Sequence, residues 1–383
     1  MGVDLSTYRA RIGCFQNPTA RCARCRSQAS ALLLGVILAK LWNKVMGRGP
    51  GKLVRCCYVM MSCLLAWFLA CKLLLQAGDI EQNPGPTLRE TDPDTHEVEE
   101  QSLTPRQNDD DLLELDLSGR NMSHVPNKAF QQNDLQVLNL QRNSIKVIPT
   151  DIGMLFQLRH LDISCNKLSH LPDSISSLSN LEELNISENK IHEFPKGMEN
   201  MQALKVLIYR NNALVTIPEQ VFSFPGIEEL DVSDNELSEV SPLIGNLLSL
   251  KVLNLRWNQS LQILPQELCQ LSNLEEINLS VCDLGCLPDD IGKLRKLKTI
   301  KLSCNRISSL PASVFQSLVN LEELDLCENS ITEIPESIST LKKLTSLKVA
   351  GNQLTKLPTS IVELTELQSL DISYNSILGL PAV

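Results

Sequence analysis

The segment LRHLDISCNKLSHLPDSISSL, Leu158–Leu178, carries several kinds of structural signal in one short stretch. In LRHLDIS, Leu161 and Ile163 alternate with polar neighbours, the period-two pattern of a short strand with one buried face. Asn166 follows at a turn, where a side-chain amide satisfies backbone groups that packing against a neighbouring segment would otherwise leave buried and unpaired. Leu168, Leu171 and Pro172 then carry the chain away, and DSISSLSNL predicts a short helix or 3₁₀ turn with Asp173 near its start. One strand and one turn cannot bury their own leucines, so the segment implies neighbours of the same kind.

Those neighbours are present. Read from Leu112, the string LxxLxLxxNxLxxLP recurs twelve times at a spacing of 23 or 24 residues. Its asparagine slot falls at Arg120, Asn143, Asn166, Asn189, Asn212, Asn235, Asn258, Cys282, Asn305, Asn329, Asn352 and Asn375. This pattern resembles the leucine-rich repeat family, specifically the regular 23-residue class of intracellular members, and covers about 70% of the chain. The resemblance implies an α/β solenoid over residues 112–383: a curved horseshoe with a parallel concave sheet and short helices or 3₁₀ turns on the convex side. It also implies a Ras-pathway-like scaffold, with a protein such as a small GTPase or a phosphatase as partner.

Departures from the repeat are local. Arg120 breaks the asparagine series in the first coil, as expected of a terminal coil beside solvent. Cys282 takes the slot in coil eight, one residue is inserted between Asn258 and Pro265, and Ser241 stands where proline is usual. The chain stops at Val383, just after Pro381 and without a polar cap, so Leu370, Ile372 and Leu380 are expected to face water or to pair with something.

A second period of about 46 residues runs through the array. Coils four, six, eight and ten begin LEELNIS, IEELDVS, LEEINLS and LEELDLC, whereas five, seven and nine begin LKVLIY, LKVLNL and LKTIKL. Duplication of a two-coil unit explains this. It places Glu182, Glu228, Glu275 and Glu322 beside Lys205, Lys251 and Lys298, which reads as a solvated ladder of ion pairs worth a few tenths of a kcal/mol each (~0.2–0.5). At outward positions of the concave sheet, Glu183, Glu229, Asp231, Glu276, Glu323 and Asp325 form acidic rows around Arg210, Arg256 and Trp257. An exposed tryptophan flanked by arginine has the composition of an interface anchor. Trp257 reads equally as a cover for the insertion beside it. The candidate partner-binding set is therefore Arg210, Glu229, Asp231, Arg256, Trp257 and Glu276.

Across 383 residues, 43% are hydrophobic but only 4% aromatic, leucine standing in for the aromatic residues of an ordinary core. Residues 1–86 hold eleven Lys/Arg against three Asp/Glu, a charge of +8, which leaves −18 for residues 87–383. A repeat domain so acidic excludes nucleic acid as a partner. Thr87–Asp111, with nine acids and prolines at 93 and 105, reads as a disordered solvated linker.

The leader, residues 1–86, is chemically distinct. Ala29–Ala39 is too short to span a bilayer, but Cys56–Leu75 is about twenty apolar residues interrupted by Lys72 and preceded by Arg48, Lys52 and Arg55, which resembles a signal sequence or signal anchor. Directly after it comes AGDIEQNPGP, Ala77–Pro86, which resembles the 2A-like ribosome-skipping peptides of certain RNA viruses. Asp79, Glu81, Asn83, Pro84, Gly85 and Pro86 match the core D-x-E-x-N-P-G-P. Six fixed positions arise by chance on the order of a few times in a hundred million windows. The resemblance implies that the Gly85–Pro86 bond does not form: prolyl-tRNA offers a constrained secondary amine, and Asn83-Pro84-Gly85 holds the peptidyl ester turned away from it. Release leaves a basic, membrane-associated leader 1–85 and a separate acidic solenoid.

Because Cys56–Leu75 is still within the ribosome when Pro86 is added, skipping leaves the solenoid cytoplasmic. Failure to skip sends the whole chain to the secretory route. Met1–Ser6 fits a myristoylation pattern at Gly2, with Cys14, Cys22 and Cys25 nearby. Cys22 and Cys25 form a single CxxC with no second pair, so no metal site is expected. The six cysteines of the solenoid, Cys165, Cys269, Cys282, Cys286, Cys304 and Cys327, form no clustered caps, consistent with a reducing compartment. The N-x-[ST] sequons at Asn121, Asn185, Asn258 and Asn278 read as coincidences, since Asn258 belongs to the asparagine series and Asn185 and Asn278 to strands.

The five histidines show no pairing with a nucleophile; His170 reads as a surface turn residue. No catalytic constellation or cofactor is expected. The function indicated is a non-enzymatic intracellular signalling scaffold. A secreted innate-immune recognition protein is the second reading, and a recognition arm of a larger enzyme the third. Cell-free translation of the message is expected to yield two products divided at Gly85/Pro86; a single full-length band would remove both the skipping and the two-compartment expectation.

Overall fold

In a computed structural model, the structure describes residues 103–379 and 381, apart from residue 312. The leader 1–86, including Gly2, the apolar stretch 56–75 and the motif residues 79–86, lies outside the described residues, as do Leu380 and the linker up to residue 102.

The sheet has thirteen strands in sequence order. β1 (Arg106–Gln107) pairs antiparallel with β2 (Leu113–Asp116). The parallel rungs continue through β3 (Val137–Asn139), β4 (His160–Asp162), β5 (Glu183–Asn185), β6 (Val206–Ile208) and β7 (Glu229–Asp231). Then come β8 (Val252–Asn254), β9 (Glu276–Asn278), β10 (Thr299–Lys301), β11 (Glu323–Asp325), β12 (Ser346–Lys348) and β13 (Ser369–Asp371). β2 to β13 are the twelve coils of the repeat, so the solenoid expected from the sequence is present. It begins sooner than the sequence indicated: the last part of the expected linker is not disordered but supplies β1, and Leu103 is buried against the first coil.

The return segments are short 3₁₀ turns, except between β10 and β11, where residues 313–317 form a plain turn. Pro149, Pro172, Pro218, Pro265, Pro335 and Pro358 each precede five 3₁₀ residues. Five residues are too few to nucleate an α-helix, and proline fixes the entry dihedral. In coil six, where proline is displaced by one, Ser241 caps the turn by accepting from the Leu243 amide at 3.3 Å, with Pro242 at the first position. One or two buried residues per turn, such as Ile152, Ile175 or the pair Leu268 and Cys269, join the strand leucines in a single core running from Leu103 to Leu364.

Buried asparagines link the coils. Asn235 donates to the carbonyls of Tyr209, Val232 and Ser233 at 3.0–3.1 Å, while its Oδ1 accepts from Asn212 and Leu214 amides at 2.9 and 3.1 Å. Asn258, fully buried, does the same for Val232, Leu255 and Leu237, which places its sequon out of reach of any modifying enzyme.

Coil eight solves the problem differently. Cys282 points its thiol at the Leu255 carbonyl at 3.4 Å, and sulfur gives no acceptor comparable to an amide oxygen. The amide that such an oxygen would serve, at Leu261, donates instead to the Asn258 carbonyl at 3.0 Å, a turn made by the residue inserted there. The two irregularities therefore compensate each other. In coil one, the exposed Arg120 replaces asparagine and its guanidinium donates to the Asp116 carbonyl at 2.8 Å.

The residue before the slot has φ between 52° and 68° in all twelve coils, and in ten of them it is not glycine. A left-handed residue with a Cβ costs about 1–2 kcal/mol. The ladder overrides this, because from Gly119 to Gly351 the amide at this position donates to the next coil, as Glu188 does to Arg210 at 3.0 Å. At the far end, Leu370 is 40% exposed, whereas Ile372 packs against the core.

Replacing Asn235 with alanine strands several buried backbone groups and is expected to cost about 3 kcal/mol, against about 1 kcal/mol for Cys282→Ala, whose neighbour amide is satisfied locally. Urea unfolding midpoints check this; equal losses would contradict the compensation.

Candidate functional site

Two outward rows of the sheet have different electrostatics. In the first, Lys205 meets Glu182 at 2.7 Å, Lys251 meets Glu228 at 2.6 Å and Lys298 meets Glu275 at 2.6 Å, with Arg159 also on Glu182. These are the expected ion pairs; they hold the carboxyls of Glu182 and Glu275 below their ordinary value through hydrogen bonds from the lysines.

The adjacent row has no such cancellation. Register places Glu183, Val206, Glu229, Val252, Glu276, Thr299 and Glu323 side by side on successive rungs. Glu323 is neutralised by Lys348 at 2.8 Å, and the His160 ring lies 3.7 Å from Glu183. Among the described residues no ion pair reaches Glu229 or Glu276. Burial pushes the Glu229 carboxyl up, and the charges of Asp231, Glu183 and Glu276 add to the effect. The middle of the concave face is thus an acidic stripe interrupted by valines.

Asp231 has a structural task in addition to its place on the outward face. Its Oδ1 accepts from the Ser233 amide at 2.9 Å and its Oδ2 from Asn254 at 3.1 Å. The same short bond to the residue two ahead recurs at Asp116, Asn139, Asp162, Asn185, Asn254, Asn278, Asp325 and Asp371. This Asx turn leads nine of the twelve parallel strands into their left-handed corners, the exceptions being those that end at Ile208, Lys301 and Lys348. Asp231 and the strand asparagines are therefore part of the scaffold as well as of the surface.

Arg210, Arg256 and Trp257 stand just beyond the strands, at these corners. Arg210 reaches Glu188 at 3.4 Å. The Nε of Arg256 is buried without a hydrogen-bond partner. Between the two arginines lies Asp234, whose carboxyl is raised by burial although both guanidiniums pull it down. Trp257 (φ 61°) is half-buried and lines a notch of about 520 Å³ with Glu188, Arg210, Ala213, Asp234 and Glu236. Glu188, Ala213, Asp234 and Glu236 were not anticipated from the sequence.

The notch has a traceable cause. At nine junctions the amide after the slot asparagine or cysteine donates to a carbonyl of the preceding coil, as Glu236 does to Leu214 at 2.9 Å. In coil five that carbonyl, on Ile191, instead accepts from the buried hydroxyl of Tyr209 at 3.0 Å. Ala213 is turned out of the ladder into a left-handed conformation, φ 57°. Asn121 of the first coil, which has no parallel coil before it, adopts φ 55° at the same position. Tyr209 takes the place of a core leucine and stacks on Phe194 at 5.2 Å.

Burial pushes the thiols of Cys269 and Cys282 up to about 11. His170 is exposed beside Ser169. Among the described residues there is no group of metal-binding side chains, and no helix is long and apolar enough to cross a membrane.

Comparison with known proteins gives consistent matches. The family described as "Leucine-rich repeat region" matches residues 116–283, and two others, described as "Leucine Rich Repeat" and "Leucine rich repeat", match residues 273–294 and 295–354. Among solved structures, a leucine-rich repeat protein of Leptospira interrogans is 31% identical with a TM-score of 0.61, over 70% of this chain and 79% of that one. A TDR receptor is 31% identical over 68% of this chain and 47% of its own, TM-score 0.58. The plant peptide hormone receptor RGFR1, in complex with RGF2, is 26% identical over 67% of this chain and 46% of its own, TM-score 0.52. The match spans about half the length of these two receptors. No curated protein matches the chain significantly.

A carboxyl raised in the folded state stabilises the fold fully only below its unfolded value, and that contribution is lost as pH rises through the folded one. Glu229→Gln is therefore expected to raise the urea midpoint at pH 7 and to leave it nearly unchanged at pH 4; the same gain at both would contradict the burial and crowding of Glu229.

Proposed function

Since the chain belongs to the leucine-rich repeat family, whose members are typically non-enzymatic interaction modules, we propose that it is a scaffold of intracellular signalling that binds a protein partner on its concave face. The single observation carrying this reading is the stripe of Glu183, Glu229 and Glu276, in which Glu229 is partly desolvated and, among the described residues, neither Glu229 nor Glu276 has an ion-pair partner. An uncompensated charge at a partly buried position is relieved by an opposite charge brought to it, which gives a basic partner surface both affinity and speed of encounter. The receptor RGFR1, solved with the ligand RGF2, supports a protein or peptide ligand for this type of surface.

The finer assignment follows the resemblance to Ras-pathway scaffolds: a small GTPase or a phosphatase as partner, in the cytoplasm, after release at Gly85/Pro86. The order of apolar stretch 56–75, skipping motif and solenoid supports a second reading, innate-immune recognition by the unskipped chain in the secretory route.

Affinity capture from cytosol with the wild-type chain, compared with Glu183→Lys/Glu229→Lys/Glu276→Lys, tests the proposal. Partners are expected to be lost from the reversed variant and retained by a control reversed at Asp173, Glu219 and Glu336 on the convex side. An identical set of partners with all three chains would overturn it. Wild-type capture is also expected to weaken as salt rises, since exposed charges more than about 10 Å apart are screened at 0.1 M.

A further inference from the structure

We propose that the notch at coils four to seven receives one cationic side chain, an arginine or lysine, from the protein partner. The inference rests on the concave-face reading above and adds a specific anchor to it. Trp257 lines the notch, and a guanidinium or ammonium group is attracted to the face of an indole ring. The carboxylates of Glu188, Asp234 and Glu236 line the same space. Arg210 and the adjacent Arg256 offset two of these three, so one negative charge remains. Arg210 holds Glu188 only at 3.4 Å, a long contact that a better-placed cation would compete with. The notch lies at the corner of the same coils that carry the acidic stripe, so one basic segment would reach both.

The notch is built by two departures from the repeat rather than by the repeat itself. Tyr209 occupies the Ile191 carbonyl and turns Ala213 outward, and two coils later the extra residue after Asn258 changes the turn that follows Trp257. Coil six between them keeps the regular bond from Glu236 to Leu214. A regular coil five would place its corner amide on Ile191 and narrow the space. The opening thus depends on one phenolic hydroxyl that is not itself part of the lining.

The test uses the full chain carrying Trp42→Phe and Trp67→Phe, which leaves Trp257 as its single tryptophan. The probe is a glycine–serine peptide with one central arginine, and its control has citrulline, neutral but nearly the same shape, at that place. The arginine peptide is expected to change Trp257 fluorescence saturably, with the citrulline peptide about tenfold weaker, the equivalent of about 1.4 kcal/mol. Asp234→Asn/Glu236→Gln is expected to weaken the arginine peptide by a similar factor. Tyr209→Phe, which frees the Ile191 carbonyl to take the amide of residue 213, is expected to weaken it too.

Equal titrations with arginine and citrulline, or no effect of the double variant, would overturn the notch as a cation site. The concave-face reading fails separately. Glu229→Lys is expected to abolish partner capture and to leave the arginine selectivity of Trp257 intact. Capture that depends on the stripe while Trp257 ignores arginine would remove the notch alone.

Discussion

The solenoid depends on the way buried asparagine amides close the backbone between coils. A rung of three residues forms only a few ladder bonds, and the corner that follows it is buried under the next coil, where an unpaired amide or carbonyl costs about 1–3 kcal/mol. Asn235 answers five such groups with one side chain: three carbonyls accept from its nitrogen and two amides donate to its oxygen. Leucine burial supplies the driving force for stacking, but it has no direction. The asparagine fixes register, because its oxygen must meet an amide about one coil back. The left-handed residue before it is the cost of that arrangement, borne even at Val281 and Trp257, where a large side chain resists it.

Irregular coils are informative because the same requirement holds there. Cys282 lacks the oxygen, and the inserted residue lets the Asn258 carbonyl take the amide that would have been orphaned. Tyr209 supplies a hydroxyl that the array does not need, and an amide is displaced as a result. In the first case two departures restore satisfaction and the coil stays closed; in the second a polar group enters the core and the corner opens. Surface shape at the notch is therefore a consequence of hydrogen-bond accounting inside the coil.

Much of this was legible in the residues. Leucine and asparagine recur at fixed spacing and do chemically specific work, so coils, rungs and slots could be read directly, and the Glu–Lys alternation gave the ion pairs from Lys205 to Glu182 onward. The start of the sheet was not legible, because Arg106–Gln107 has no apolar alternation and joins β2 through backbone bonds alone. Asp231 was only partly legible: an outward acid on a strand reads as surface charge, and its bond to the Ser233 amide shows the turn it also makes. The corner position is harder still. Gly119, Arg142, Cys165, Glu188, Asp234, Trp257 and Tyr374 share one backbone conformation without sharing one residue type, since the neighbouring coils impose it. Glu188, Asp234 and Ala213 could not be identified by residue type.

The two-coil duplication links the scaffold to the proposed binding surface. In one row it alternates glutamate with lysine, so each charge has its opposite on the next rung and the row is nearly neutral. In the next row the same duplication alternates glutamate with valine, so like charges recur every second rung, about 10 Å apart. That distance is close to the screening length at 0.1 M salt, so the free protein tolerates the stripe with modest repulsion. A partner that covered the stripe would exclude the screening ions and strengthen every interaction beneath it. Neutral or acidic surfaces would then meet an uncompensated charge, and basic ones would relieve it. The charge preference proposed for this face follows from which residue the duplication placed between the glutamates.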